Sequence, residues 1–151
     1  MRYVAVCGPA DADPALLDHA RRAGRLLAAG GWVVLTGGLG GVMAAAAEGV
    51  SAAGGTAIAI LPGTDRSAAA PGHAFALPTG MGEMRNALLV RSADAVLAIG
   101  GSWGTLSEVA LAARTAVPLA VVAGEVPSFA GDEVVVAETV DEAIRALQER
   151  S

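Results

Sequence analysis

Short runs rich in valine and isoleucine alternate along this 151-residue chain with alanine-rich stretches of helical length, and that alternation constrains the fold more than any other feature. Apolar strands separated by helix-sized segments are the pattern of a parallel sheet whose strands are joined by crossover helices. The predicted strands are Tyr3–Cys7, Trp32–Thr36, Thr56–Leu61, Ala95–Ile99, Leu119–Ala123 and Glu133–Val136. The predicted helices are Pro14–Ala29, Gly41–Ala53, Met81–Arg91, Thr105–Arg114 and Val140–Arg150. Asp13-Pro14 suits a first helical turn, Gly30-Gly31 and Gly54-Gly55 stand where helices should stop, and Thr139 with Glu142 makes a capping box. The stretch Pro62–Pro78 has no clean period and reads as a loop over one edge of a site. No repeat or linker divides the chain, so residues 1–151 are expected to form one α/β domain.

Composition narrows the function. Aromatic residues make up only 3% while hydrophobic residues reach 54%, largely as alanine, which predicts helices packed at close range. No apolar run approaches the roughly 20 residues that cross a bilayer, and MRYVAVCGPA reads as a first strand rather than a signal peptide. A cytoplasmic protein without membrane contact is expected. A net charge of −5 argues against a general grip on nucleic acid. All ten basic residues are arginine, so there is no lysine for a phosphate-binding P-loop or a Schiff base. The single cysteine, Cys7, forms no internal disulfide and is expected as a small buried residue at a strand end. His19 and His73 are expected to be exposed or in loops rather than zinc ligands.

Chemistry concentrates in two glycine loops. Ile99-Gly-Gly-Ser-Trp-Gly-Thr-Leu-Ser-Glu108 contains Gly100-x-Ser102-x-Gly104, the spacing of a nucleophile elbow. The hydrolases that use such an elbow place their histidine later in the chain, and none follows Ser102. A phosphate cradle accounts for more: Gly100, Gly101 and Gly104 allow close approach, and amides at the next helix start point toward one anion, with a hydroxyl from Thr105. A second loop, Thr36-Gly-Gly-Leu-Gly-Gly41, also follows a strand and precedes a helix. Two such loops at strand carboxyl ends are expected to share one crevice. Neither matches a dinucleotide fingerprint, since Cys7-Gly8-Pro9 replaces the first glycine turn and Met43 stands where the last glycine belongs. In the helix around Met84-Arg85-Asn86, Arg85 can neutralise a phosphate or carboxylate, and Glu108 offers the carboxylate that hydrolysis at a sugar carbon requires.

Thr36-Gly-Gly-x-Gly-Gly-Val-Met43, then Met84-Arg85-Asn86, then Gly100-Gly-x-x-Gly-Thr-x-x-Glu108 together resemble the Lonely Guy superfamily, within the broader SLOG group, and most of all its molybdenum cofactor carrier-like branch. Members are often mislabelled lysine decarboxylases, a chemistry this lysine-free chain cannot perform through pyridoxal phosphate. The resemblance implies a Rossmann-like, doubly wound subunit with a mostly parallel sheet. It also implies a homodimer or higher homo-oligomer that takes a nucleoside 5'-monophosphate, AMP-like, or a similar phosphorylated ligand. Catalytic members are phosphoribohydrolases whose Arg and Glu match Arg85 and Glu108 here. This chain has Ile99-Gly-Gly where those enzymes have Pro-Gly-Gly, and Arg85-Asn86 where they have Arg-Lys, as the carrier-like branch does.

The expected ligand-binding set is Gly8, Thr36, Gly37, Gly38, Gly40, Gly41, Val42, Met43, Met84, Asn86, Gly100, Gly101, Ser102, Trp103, Gly104 and Thr105, with Arg85 and Glu108 catalytic and no metal or resident cofactor. The leading expectation is hydrolysis of the N-glycosidic bond of a nucleoside 5'-monophosphate. The alternative is a non-catalytic carrier of molybdenum cofactor or a nucleotide sensor. Apolar residues on several faces of the third and fourth helices (Leu88, Leu89, Val90, Val109, Leu111 and Ala112) give a second reason to expect a homodimer.

Overall fold

The computed structural model describes residues 1–151 and contains seven strands, all parallel, with five α-helices between and after them. The strands are β1 (Arg2–Cys7), β2 (Trp32–Thr36), β3 (Ala57–Leu61), β4 (Phe75–Pro78), β5 (Ala95–Ile99), β6 (Leu119–Val122) and β7 (Val134–Ala137). The helices are α1 (Pro14–Ala29), α2 (Val42–Ala52), α3 (Arg85–Arg91), α4 (Trp103–Arg114) and α5 (Val140–Arg150). Sheet order is β4-β3-β2-β1-β5-β6-β7. The chain winds outward from β1 to β4, then returns to lay β5 on the other side of β1. That reversal creates a switch point between β1 and β5, where the loops leaving both strands diverge and ligands bind in open sheets. The fold is the expected single Rossmann-like α/β domain.

Residues of β1 and β5 alternate between two cores. Val4, Val6, Leu97 and Ile99 face α1, α2 and α5, whereas Ala5, Cys7, Val96 and Ala98 face α3 and α4. Alanine and glycine set the spacing on the first face. A Cβ on Gly24 would lie 2.2 Å from the Ala46 carbonyl oxygen, and one on Gly49 would lie 2.1 Å from that of Arg21. Those two glycines bring α1 and α2 nearly to backbone contact.

The caps follow from sequence. Asp13 accepts from the Leu16 amide at 2.9 Å, and Thr139 accepts from the Glu142 amide at 3.2 Å. The Glu142 carboxylate reaches the Glu138 amide, one residue before the cap, instead of closing the box on Thr139. Three expectations need correction. The Pro62–Pro78 stretch is not all loop: it holds a 3-10 turn at Arg66–Ala68 and the edge strand β4, paired in register from Ile58↔Phe75 to Leu61↔Pro78. The helix expected from Met81 splits into a 3-10 turn (Gly82–Met84) and α3. And α4 begins at Trp103 rather than Thr105, because Ser102 caps it.

Candidate functional site

The loop after β5 opens toward solvent. Gly101, Ser102, Trp103 and Gly104 are exposed, and a Cβ on Gly101 would meet nothing within 4 Å. Ser102 is extended, with φ −159° and ψ 172°, and its Oγ accepts from the Thr105 amide at 3.1 Å while lying 3.0 Å from Thr105 Oγ1. Its hydroxyl is therefore committed to capping α4, and the nucleophile-elbow spacing is incidental. Leu106 donates to the Ser102 carbonyl, so the Trp103 and Gly104 amides are the first-turn donors left without an intrahelical partner. A cleft of about 580 Å³ adjoins them, lined by Gly100–Trp103 and Thr105 on one side and by Ala123, Gly124 and Glu125 on the other.

The loop after β2 is closed instead. Thr36, Gly37 and Gly38 are buried, and only Gly40 is exposed. A Cβ on Gly38 would strike Leu61 and Ala59, and one on Gly41 would come within 2.3 Å of the Pro9 carbonyl oxygen. The first amide of α2, on Val42, donates to that same Pro9 carbonyl at 3.1 Å. Gly8 likewise packs against Val42 and the Ile99 carbonyl. The expectation that both loops line a single crevice is corrected here: the cleft at Gly101 includes no residue of Thr36–Met43. Val42 is a core residue with no exposed surface, and Met43 is buried with its sulfur against Gly37.

Arg85 lies against the closed loop. It is 8% exposed, its Nη1 presses on the face of Gly37, and its Nε has no hydrogen-bond partner. The molecule's ion pairs join Arg21 to Asp18 and Glu48 and Arg22 to Asp141, so Arg85 carries its charge inside the protein without a paired carboxylate. Burial lowers its pKa, opposed by the attraction of Glu108 and then Cys7. Glu108 is 6% exposed, and burial lifts its carboxyl to about 7 against the opposing pull of the Cys7 thiol and Arg85. Cys7 closes the group from below, fully buried at the end of β1, with its thiol pushed well above its usual range by burial and then by Glu108. Sequence therefore placed Cys7 correctly but gave no sign that it adjoins Glu108.

The remaining expected residues lie at the rim. Asn86 Nδ2 donates to Ser107 Oγ at 2.9 Å, tying α3 to α4. Met84 is 74% exposed and lines a second groove of about 440 Å³ with Asn86, Trp103, Gly104 and Ser107. His19 is half-buried on α1, and His73 is in a loop but only partly exposed, its Nε2 2.7 Å from Thr36 Oγ1. His73 is in a loop as expected, and the turn at Pro71-Gly72 brings it to Thr36 at β2's carboxyl end.

The parallel sheet with its switch point between β1 and β5 defines a Rossmann-like α/β protein. The chain belongs to the SLOG cluster4 family, whose model matches residues 1–149. Its fold is similar to the molybdenum cofactor binding protein of the phototrophic bacterium Rippkaea orientalis, with 34% identity and a TM-score of 0.93 over 98% of this chain and 96% of that one. It is also similar to the molybdenum cofactor carrier protein of Chlamydomonas reinhardtii, with 33% identity and a TM-score of 0.89 over 99% and 98% of the two chains. An uncharacterized protein of Archaeoglobus fulgidus is 38% identical over 114 residues, 76% of this chain and 75% of that protein. No helix is long and apolar enough to cross a membrane.

Proposed function

We propose that this protein binds and carries molybdenum cofactor, holding the cofactor's terminal phosphate between the open Gly101–Gly104 loop and Arg85. One observation carries the reading: Arg85 is a buried cation with no ion-pair partner, packed against Gly37 of the closed glycine loop. Such an arrangement costs stability in the empty protein and is relieved by an anionic ligand. The two structural relatives named for molybdenum cofactor support that cofactor as the ligand. Molybdenum retained per chain after loading with isolated cofactor tests it. Retention near one per chain, lost in Gly101→Val, is the expected result, and no retention by the parent protein overturns the reading.

A second reading, phosphoribohydrolase activity, is favoured by Glu108. A carboxyl poised near neutrality beside Arg85 can stabilise positive charge at an anomeric carbon and pass a proton to or from water. Free base released from a panel of nucleoside 5'-monophosphates, and lost in Glu108→Gln, would establish it in place of the carrier.

The proposed homo-oligomer now rests on different residues. Leu89, Val90, Val109 and Ala112 are buried against the chain's own sheet, which leaves Leu88 and the half-buried Leu111 of those six, with Met84, Trp103 and Phe129 among the other exposed apolar residues. Light scattering that reports a monomer at micromolar concentration would remove the dimer.

A further inference from the structure

The stretch between β3 and β4 has no part in the function above, yet it supplies a histidine to the buried base of the first glycine loop. Four hydrogen bonds there close into a ring. The Gly38 amide donates to Thr36 Oγ1 at 2.9 Å, and Thr36 Oγ1 lies 2.7 Å from His73 Nε2. His73 Nδ1 lies 2.8 Å from the Ala70 carbonyl oxygen, and the Ala70 amide donates to the Gly38 carbonyl at 2.9 Å.

Only one proton arrangement satisfies every member. A carbonyl can only accept, so His73 Nδ1 carries the proton and Nε2 is left as an acceptor. The Thr36 hydroxyl, which already accepts from Gly38, then gives its one hydrogen to Nε2. Thr36 has no exposed surface, so water does not compete. Gly37, between the two loop members of the ring, is the residue on which the Arg85 guanidinium rests.

We propose that His73 is a positioning residue for the ligand site. Acting through Thr36, it holds the Thr36–Gly41 loop in the shape that seats Arg85. The stretch between β3 and β4 is thus a buttress beneath the site and not a cover over it. The link to ligand rests on the reading of Arg85 as an anion receiver, whereas the ring itself does not. Protonating His73 puts a hydrogen on Nε2, so Thr36 Oγ1 must accept twice and its own hydrogen has nowhere to go. The ring therefore favours the neutral imidazole, as does burial, which lowers the His73 pKa against the opposing pull of the Ala70 carbonyl. Charged groups on the surrounding elements are engaged elsewhere or face the ligand side: Glu48 on α2 pairs with Arg21, Asp65 binds Ser67, Arg66 binds the Ala76 carbonyl, and Arg85 lies on Gly37.

The test reads the loop without ligand and then with inorganic phosphate. Amide exchange at Gly38, followed by NMR on the unliganded protein, is expected to speed up on the order of tenfold in Thr36→Val and His73→Ala, about what one hydrogen bond is worth, and to stay near the parent's in Thr36→Ser. Protection at Gly38, corrected for intrinsic exchange, should fall as pH drops from about 7.5 to about 5 in the parent and stay flat in His73→Gln, which keeps an acceptor but does not titrate. Phosphate affinity should drop on the order of tenfold in His73→Ala. Parent-like Gly38 protection in both Thr36→Val and His73→Ala overturns the buttress, as does an unchanged pH dependence in His73→Gln. Lost protection with unchanged phosphate affinity overturns its link to the site. A parent that binds neither phosphate nor cofactor removes the ligand reading, and the exchange data still decide the ring.

Discussion

The two glycine loops look alike in sequence and do different work in the structure. After β2, Gly37 and Gly38 are buried, and the loop's donors and faces are taken up by Thr36, Pro9, Leu61 and Arg85. After β5, Gly101 and Gly104 are exposed, the helix start is capped by Ser102, and two first-turn amides remain free beside a cleft. In the first loop glycine removes side chains so that protein can pack on protein. In the second, Gly101 leaves open space beside a cleft, which the proposed function reads as room for a ligand. A glycine-rich loop is thus an ambiguous sign, and what lies within contact of the absent Cβ resolves it.

The largest effect should come from exchanging the same residue into both loops. Gly41 has φ +62°, and a Cβ there would meet the Pro9 and Ala10 carbonyl oxygens at 2.3 and 2.4 Å, so Gly41→Val combines backbone strain with a clash that no rotamer relieves. It is expected to destabilise by about 4 kcal/mol or more, seen as loss of soluble protein or a melting temperature lower by roughly 10 °C. Gly101→Val should melt within about 1 °C of the parent and lose cofactor retention on the order of a hundredfold. Equal stability losses in the two variants would erase the distinction between the loops.

That distinction also marks what was legible in the chain. Every strand flanked by helices could be read from its apolar run, because strands buried on both faces leave an unbroken Val/Ile signature. Strand β4 could not: as an edge strand it exposes Phe75 and Leu77 and ends in Pro78, so neither periodicity nor composition marks it. Among the site residues, Arg85 and Glu108 were readable as a pair with motif spacing, but their burial was not. The partnerships of Cys7 with Glu108 and of His73 with Thr36 join residues about a hundred and about forty positions apart, through pairings that only the sheet order creates.

A smaller effect sharpens the role of Arg85, which packs on the closed loop. Arg85→Met keeps most of the volume and removes a buried cation that lacks a partner. The empty protein is expected to gain about 1 kcal/mol, visible as a melting temperature higher by roughly 3 °C, while cofactor retention falls on the order of ten- to a hundredfold. Opposite signs for stability and binding are the signature of a charge kept for its ligand. A variant that is both less stable and fully able to bind would assign Arg85 to packing alone.

The smallest effect concerns Glu108, which sits on α4 beside Cys7 and titrates near neutrality. Its carboxyl is raised from 4.5 to about 7 in the folded protein, so the folded state holds a proton that the unfolded state has released. The stability associated with that proton is fully present below about pH 4.5 and is lost as pH rises through about 7. The shift sets a ceiling of about 3 kcal/mol, and relaxation around the ionised group reduces it to about 1 kcal/mol. Glu108→Gln resembles the protonated carboxyl and should not show this loss. The variant and the parent are therefore expected to melt together near pH 5, with the variant higher by roughly 3 °C near pH 8. Should the difference run the other way near pH 8, the attraction of Arg85 would outweigh burial at Glu108, and the two groups would form the ion pair that their separate environments now argue against.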